Sequence, residues 1–308
     1  MTAGVPGAPG AAGGAGATVH RVGLAIGLVC LSSLTFAVLF AGVKYLDGRY
    51  SPVQVLFLRY SIGFAVSLPL IMRLGRGVWR TTRPAAHGVR ALYGLISTLL
   101  MFYAVTQMPL ATATAISFSM PLFLTMLSMP MLGETVGWRR ATATAVGFAG
   151  VVIVVNPGGD ISWAALMALV SALFYALAVI AVRQLSNSEP AARIYIYYCL
   201  ANIVFCGAAL PWFWVAPTPA DWAVFAGIGT LGAGAQYCFL IAYRNAPASI
   251  IAPFDYLQIF FALAIGYLVW SELPRAQSAI GGAIIVASGL YIWRRETRLA
   301  AARRKAPA

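Results

Sequence analysis

Two charged side chains, Arg59 and Asp255, stand inside long apolar segments of this 308-residue sequence. Arg59 is seven residues past Pro52, and Asp255 is seven residues past Ala248. If both segments are helical, each charge lies about 10 Å from one end of its segment. A charge at this depth in an apolar medium costs about 2.5–3.5 kcal/mol, so it needs a partner or a task.

Three interpretations of Arg59 and Asp255 are open. The two side chains can form a structural ion pair that fixes the packing of their helices. Alternatively, they can face a central cavity, where they bind opposite ends of a zwitterion or where Asp255 carries a coupling proton. Arg59 can also extend its guanidinium group to a membrane surface along its aliphatic stem.

Other polar and aromatic side chains recur at helical spacing in the apolar segments. Gln258 is three residues from Asp255 and shares its helix face. A ligand cavity needs a few polar groups in an apolar, aromatic wall, so we predict a substrate-binding set in which Asp255 is also the coupling residue. Hydrogen bonding between packed helices is the alternative for the uncharged members. The predicted set is Arg59, Ser117, Phe118, Asn202, Gln236, Tyr237, Asp255 and Gln258.

The segments that hold these residues have the composition of membrane spans. Hydrophobic residues make up 61% of the chain and charged residues 9%, whereas soluble domains are about 25% charged. A helix of about twenty apolar residues crosses the ~30 Å of hydrocarbon in a bilayer. The sequence therefore predicts an all-α integral membrane protein with ten transmembrane helices, at about 22–43, 52–72, 89–107, 110–132, 138–155, 161–182, 194–215, 222–243, 248–270 and 276–293.

Lys and Arg residues are distributed unevenly between the connections of these spans. Seventeen of the 21 fall on the side of the N-terminus, three fall on the opposite side, and Arg59 lies within a span. Positively charged connections stay in the cytoplasm, so both termini are predicted to be cytoplasmic. The net charge of +13 reflects this sorting, and we expect no nucleic-acid partner.

Several kinds of chemistry lack the residues that they need. The four cysteines lie inside apolar segments without metal-ligand spacing, and the two histidines lie outside the spans. The sequence contains no G-x-x-x-x-G-K-[ST] motif for nucleotide phosphates and none of the common catalytic metal or nucleophile motifs. We therefore expect no cofactor, no metal, no catalytic residue and no direct use of ATP.

A weak internal repeat runs at a spacing of 138–139 residues. Pro109 to Glu134 is 25 residues, and so is Pro247 to Glu272. Each repeat holds five predicted spans, so the second copy enters the membrane in the inverted orientation, as in many secondary transporters. The two glutamates each precede a helix, and we interpret them as structural carboxylates that complement the positive end of its dipole.

Three segments carry a resemblance to a known family, namely residues 33–70, 108–155 with its Pro, Gly-Glu and Gly-rich fifth helix, and 245–293 as the second copy. Over about 20–293 the chain resembles the EamA type of the drug/metabolite transporter superfamily. The resemblance implies five-helix repeats at 21–155 and 160–293 around a cavity lined mainly by spans 4 and 9. The Gly/Ala/Pro-rich segment 1–20 is predicted to be a disordered leader, and 294–308 a basic cytoplasmic tail.

Members of that superfamily import or export amino acids, nucleotide-like metabolites, cofactors and drugs, and some resemble transporters of S-adenosylmethionine, riboflavin or metallophores. The resemblance therefore implies a secondary transporter that moves a small metabolite across the bacterial inner membrane by alternating access. A lipid flippase or a channel-like protein is the alternative, and a membrane-embedded enzyme a less favoured one. The expected partners are a small solute and the lipid bilayer, and the expected state is a monomer or a homodimer.

Overall fold

The computed structural model describes residues 12–73, 75–132, 137–155, 162–186, 188–245 and 248–305. In this part of the chain every regular element is helical, as predicted. A short 3₁₀ helix, Arg76–Trp79, lies between the second and third α-helices. The α-helices are Ala12–Tyr45 (α1), Pro52–Met72 (α2), Pro84–Gln107 (α3), Leu110–Ser117 (α4), Met120–Leu132 (α5), Trp138–Val155 (α6), Trp163–Ser186 (α7), Ala191–Phe213 (α8), Pro219–Asn245 (α9), Ala248–Asp255 (α10), Leu257–Trp270 (α11) and Ala276–Lys305 (α12).

The helices have the length and composition of membrane spans. Eight stretches of the described residues are long and apolar enough to cross a membrane. The other two predicted spans, 52–72 and 222–243, correspond to α2 and α9, which contain 21 and 27 residues. The architecture is therefore that of an integral membrane protein.

Proline and serine define several helix starts. Pro52, Pro84 and Pro219 begin α2, α3 and α9. Proline fits the first helical position because its missing N–H has no intrahelical partner there. The hydroxyl oxygen of Ser51 accepts the N–H of Val53 at 3.2 Å and so caps α2.

Both ends of the described chain are more helical than the sequence predicted. Residues 1–11 of the predicted leader lie outside the described residues, but from Ala12 onward the chain is helical and continuous with α1. Extending an existing helix needs no new nucleation, which makes such an extension possible even for a polar or small-residue segment. For the same reason α12 continues to Lys305, through most of the predicted tail, where Ala, Leu and Arg are strong helix formers.

Two of the predicted spans are broken near their centres. The predicted span 110–132 divides into α4 and α5 at Phe118 and Ser119, and the predicted span 248–270 divides into α10 and α11 at Tyr256. Pro121, at the second position of α5, has no N–H to donate toward residue 117 and disfavours a continuous helix there. At the second break the N–H of Tyr256 bonds to the carbonyl of Pro253, three residues back, instead of the fourth.

Helices of the first half, α1–α6, pack on helices of the second half, α7–α12, in corresponding pairs. Helices six places apart in chain order are called counterparts, so that α1 corresponds to α7, α3 to α9 and α5 to α11. α1 packs on α9 and α11, and α7 packs in the same way on α3 and α5. α2 packs on α9, and α8 packs on α3. The remaining large contacts join counterparts directly, α2 with α8 and α6 with α12.

Two aromatic pairs join the halves at residues that are 138 positions apart. The hydroxyl groups of Tyr60 and Tyr198 are hydrogen-bonded at 2.7 Å, and their rings meet edge to face at 5.3 Å. The rings of Phe118 and Tyr256, which mark the two helix breaks, are stacked with centroids 4.5 Å apart. Each pair thus connects a residue with the residue at the repeat spacing found in the sequence.

The bundle has two ends, which are named here by one residue each. The Lys44 end is where α1 and α3 end and α2 and α4 begin, and it also contains Asp221 and Glu272. The Glu189 end is where α2 and α7 end and α3 and α8 begin.

Candidate functional site

Two arginines flank the tyrosine pair in the interior of the bundle. The guanidinium carbon of Arg59, on α2, lies 5.1 Å from the ring centroid of Tyr60 and 5.4 Å from that of Phe102. The guanidinium carbon of Arg90, on α3, lies 4.1 Å from the ring centroid of Tyr198. Ring faces attract cations, so the aromatic residues hold both charges without neutralising them.

Arg90 is incompletely satisfied by the protein. Its Nε and Nη1 atoms are buried and find no hydrogen-bond partner among the described residues. Gly94, one turn further along α3, makes room for this arrangement, because an added Cβ would lie 2.6 Å from both Arg90 Nη1 and Tyr198 Cε2. The geometry therefore presents a guanidinium group with unused donors next to a ring.

Tyr175 extends the aromatic surface around Arg90. It lies on α7, which packs on α3, and it is within electrostatic range of Arg90, Tyr198 and Asp255. Its side chain is 50% exposed despite these neighbours, so it borders open space and not the packed core. Helices α3, α7 and α8 thus meet at one partly open region, the central site, which lies within electrostatic range of Asp255 on α10.

Asp255 is the last residue of α10, immediately before the break at Tyr256. It is half-buried, and its charge acts on Cys30, Tyr175 and Tyr256. The hydroxyl of Ser33 donates to its backbone carbonyl at 3.5 Å. The described contacts of Arg59 lie with other neighbours, so the predicted pairing of Arg59 with Asp255 stays a prediction.

Three further predicted residues lie near the ring pairs, on α4, at the break that follows it and on α8. Phe118 stacks on Tyr256, and the hydroxyl of Ser117 donates to the carbonyl of Thr114 at 2.6 Å. Asn202 is fully buried and donates from Nδ2 to the carbonyl of Tyr198 at 2.7 Å. Its Oδ1 atom finds no partner among the described residues.

The remaining predicted residues are less enclosed. Gln258 is half-buried on α11, one turn past Asp255. Gln236 and Tyr237 are both exposed on α9. No contact described for these three side chains connects them with Arg59, Arg90 or Tyr198, and their role in substrate binding stays a prediction.

Sequence reasoning missed Arg90, Tyr175 and Tyr256. Arg90 lies at the edge of the predicted span 89–107, where its charge resembles those of the adjoining basic connection, but α3 begins at Pro84, so Arg90 lies well inside the helix. The available signal was its spacing of four from Gly94, which places both on one helix face.

Lys44 and Glu272 form a partly buried ion pair at the Lys44 end. Their Nζ and Oε1 atoms are 2.7 Å apart, with 7% and 25% of the side chains exposed. Lys44 also donates to the carbonyl of Met108 at 2.7 Å, and Glu272 Oε2 accepts the N–H of Leu110 at 3.4 Å. Glu272 therefore complements the N-terminus of α4, and not that of the helix that follows it as predicted. Its counterpart Glu134 lies outside the described residues.

A second ionic cluster at the same end joins α1, α2 and α9. Asp221 Oδ1 accepts from Arg49 at 2.6 Å, and Oδ2 accepts from Thr218 at 2.7 Å and Tyr50 at 2.8 Å. These hydrogen bonds, that of Thr218 first, hold the pKa of Asp221 below its usual value. A surface cavity of about 320 Å³ lies beside this cluster, lined in part by Arg49, Tyr50 and Tyr103.

Glu189 organises the opposite end. Its Oε1 atom accepts from the hydroxyl of Thr81 at 2.6 Å, and its Oε2 atom pairs with Arg193. Arg193 continues to the carbonyls of Gly77 at 2.7 Å and Val78 at 3.2 Å. The hydrogen bonds from Thr81 and then Arg193 lower the pKa of Glu189. This network fixes the segment between α2 and α3 to the start of α8.

The described residues contain no group of three or more His, Cys, Asp or Glu side chains that could hold a metal ion. The polar groups of the central site are instead guanidinium groups, phenolic hydroxyls, one carboxylate and amides. Such a set suits reversible binding of a polar organic molecule.

Comparison with known proteins assigns the chain to a family. The profile of the EamA-like transporter family matches residues 23–156 and again residues 162–294. The chain belongs to the EamA-like transporter family. It is thus a multi-pass membrane protein of the transporter class, which confirms the family and the inner-membrane location predicted from the sequence.

Several relatives of this EamA-family chain have named transport activities. It is 30% identical to a riboflavin transporter of Rhizobium johnstonii over 87% of this chain and 90% of that protein. It is 28% identical to an S-adenosylmethionine uptake transporter of Rickettsia bellii, with 87% and 93% covered. It is 30% identical to a pseudopaline exporter of Pseudomonas aeruginosa, with 87% and 95% covered. These relatives indicate a small-molecule membrane transporter and argue against an enzyme.

A protein of known crystal structure shares the fold. Its TM-score with this chain is 0.59 over 90% of this chain and 97% of that chain, at 21% sequence identity. At this identity the likeness concerns the helical architecture alone.

Proposed function

We propose that this protein is a secondary transporter that moves a small organic metabolite across the bacterial inner membrane by alternating access. The observation that carries the proposal is the pair of direct contacts between residues 138 positions apart, Tyr60 with Tyr198 and Phe118 with Tyr256. Two equivalent residues can touch each other only near the axis that relates the two copies. Both contacts therefore lie near a single twofold axis between two halves of the chain.

The halves in this proposal are inverted five-helix repeats, at about 21–155 and 160–293. The double match of the family profile and the corresponding helix packings support this division. Broken helices count as one span each, so the chain crosses the membrane ten times with both termini in the cytoplasm. The distribution of Lys and Arg supports an orientation with the Lys44 end outside and the Glu189 end inside.

The conformation described is closed at the Lys44 end. There α4 packs on α11, with Leu110 close to Gly266, and Glu272 joins Lys44 to the start of α4. The counterparts of α4 and α11 are α10 and α5, and no comparable packing between these two is present among the described residues. We infer an inward-facing state that exchanges with an outward-facing one when the halves exchange conformations.

Substrate in this proposal binds at the central site, between the two aromatic pairs. The predicted set of Arg59, Asp255 and the polar residues around them supplies donors and acceptors, with Asp255 as the coupling residue. Riboflavin, S-adenosylmethionine and metallophores like pseudopaline are solutes to test first, because relatives bear these names.

The test uses full-length protein in proteoliposomes and labelled riboflavin, S-adenosylmethionine and amino acids. Saturable uptake that is independent of ATP and driven by a proton or solute gradient supports the proposal. Ion currents of thousands of charges per second per molecule would instead support a channel. Chemically altered solute would support an enzyme, and movement of labelled phospholipid without solute uptake would support a flippase.

A further inference from the structure

We propose that the central site takes organic anions that carry an aromatic ring, with Arg90 as the group that binds the carboxylate or phosphate. This inference rests on the proposed function and names the substrate class of the same site. It starts from the two nitrogen atoms of Arg90 that are buried without a partner among the described residues. Guanidinium donors left unsatisfied in low dielectric are costly, so a ligand that accepts from them binds with a large electrostatic gain.

The charge balance of the region favours an anion. Arg59 and Arg90 both rest on ring faces, and the ion pairs of the described residues include neither of them. Asp255 is the carboxylate that the described residues contribute to the same region. Two guanidinium groups with one carboxylate leave a net positive interior, which attracts a solute of negative charge.

Comparison of the two copies of the repeat indicates that the fold itself does not need an arginine at position 90. Positions that shape the fold recur at the spacing of 138, as Gly94 and Gly232 do. The position that corresponds to Arg90 is Ile228, a buried residue. The packing of α3 and of its counterpart α9 therefore does not require an arginine at this position. We infer that Arg90 binds a ligand instead.

The aromatic part of the ligand is inferred from the exposed ring beside Arg90. Tyr175 is 50% exposed and shares its surroundings with Tyr198, on which Arg90 is stacked. We expect a planar group that pairs with the guanidinium donors to stack on this ring. Arginine suits the anionic end because its planar fork matches carboxylate and phosphate geometry.

The experiment measures ligand-induced thermal stabilisation of the purified full-length protein in nanodiscs. The probes are matched sets of equal shape and different charge: indole-3-acetate, indole-3-acetamide and tryptamine; benzoate, benzamide and benzylamine; and benzyl phosphate. We expect saturable Tm increases with the carboxylates and the phosphate, and none with the amides and amines. Tighter binding of the amines, or no effect of any anion, would overturn the inference.

Arg90→Gln is the test variant and Arg139→Gln its control, because Arg139 is also stacked on a ring, that of Trp138, but is exposed. Arg90→Gln should weaken anion binding by about tenfold or more, as expected for the loss of a charge-assisted hydrogen bond, and Arg90→Lys should restore part of it. Without ligand its Tm should not fall, since an unsatisfied buried charge has been removed. A fall in Tm with unchanged anion affinity would show that Arg90 is structural.

The two proposals can fail separately. Arg90-dependent anion binding without solute movement in proteoliposomes would leave the binding site and end the transporter. Saturable transport of a cation, unaffected by Arg90→Gln and by the anionic probes, would leave the transporter and end the anion site.

Discussion

Lys44 connects three parts of the chain with one ammonium group. It lies in the last turn of α1, donates to the carbonyl of Met108 between α3 and α4, and pairs with Glu272, which follows α11 in the chain. The indole ring of Trp270 lies 5.7 Å from the same Nζ atom. A side chain that is 93% removed from solvent cannot readily replace these partners with water, so the contacts at this end depend on one another.

We expect Glu272→Gln to destabilise the conformation described here. The substitution leaves the buried Lys44 ammonium without its carboxylate, at a cost of ~2–3 kcal/mol, which is below that of a fully buried pair because Glu272 remains partly exposed. A lower Tm and easier labelling of cysteines introduced at the Lys44 end would confirm it. Arg49→Gln, at the more exposed partner of Asp221, should cost less. Equal Tm losses in the two variants would contradict this reasoning.

Asp255→Asn separates the two main interpretations of Asp255, because it keeps the size of the side chain and removes its charge. If Asp255 carries the coupling proton, the variant should lose uphill transport and keep exchange of substrate across the membrane. If Asp255 pairs structurally with Arg59, the variant should instead lose stability, and Arg59→Gln combined with Asp255→Asn should recover it. Full uphill transport in the double variant would end the coupling role.

At the scale of helices, the sequence predicts the first and last residues of those helices that consist of one uniform apolar segment. The limits of α2 and α6 agree with the predicted 52–72 and 138–155, because prolines and charged residues bound these runs. The breaks within α4–α5 and α10–α11 were not predicted. Pro121 marks the first break, but Pro130 lies inside α5 without breaking it, so a proline in the sequence does not by itself reveal where backbone hydrogen bonding shifts.

Only part of the candidate site was predicted, because hydropathy does not describe the positions of side chains. Hydropathy identifies a costly charge at mid-depth, as for Arg59, but it does not show which way a side chain points. Arg90 was missed because it lies close to a basic connection, and only the packing of α3 against α8 reveals its position over Tyr198. Gln236 was predicted from depth alone and is exposed on α9.

Gly281→Ala should destabilise the crossing of α6 and α12. An added Cβ would lie 2.6 Å from the carbonyl oxygen of Gly150, so the two backbones must separate, at a cost of ~1–3 kcal/mol. Gly27→Ala is the control, because nothing lies within 4 Å of a Cβ there and the better helix propensity should stabilise α1 by up to about 1 kcal/mol. Thermal unfolding in detergent measures both, and a stabilising Gly281→Ala would refute the crossing.

The Glu189 network should make the attachment of the α2–α3 connection sensitive to acid. The pKa of Glu189 is lowered by its hydrogen bonds, so its stabilising contribution is present above the ordinary value of 4.5 and is lost as the pH falls through the lower folded value. Glu189→Gln should therefore lower Tm at pH 7 and flatten the decline of Tm as the pH falls below 4.5. Asp221 contributes in the same direction and remains. An unchanged slope would contradict the assignment.

For the whole molecule, the proposed orientation predicts where each connection lies. Reporter fusions after Arg80 and after Arg298 should report the cytoplasm, and fusions within 216–220 should report the periplasm, because the basic connections remain inside. Alkaline phosphatase and fluorescent protein fusions measure this directly. A periplasmic C-terminus would rule out ten spans and, with them, the inverted repeats.

If the two halves are inverted repeats, the hydrogen bond between the hydroxyl groups of Tyr60 and Tyr198 affects stability without affecting the equilibrium between the inward-facing and outward-facing states. When the two halves exchange conformations, a contact near the twofold axis is preserved. A contact away from the axis, such as Lys44–Glu272, is broken, and the corresponding contact at the other end forms instead. The tyrosine hydrogen bond is then expected to persist through the whole transport cycle. Because it contributes equally to the inward-facing and outward-facing states, its free energy does not affect the equilibrium between them. Tyr198→Phe should lower Tm while leaving the fraction of inward-facing molecules unchanged, and Glu272→Gln should shift that fraction; labelling of cysteines introduced at the two ends measures it.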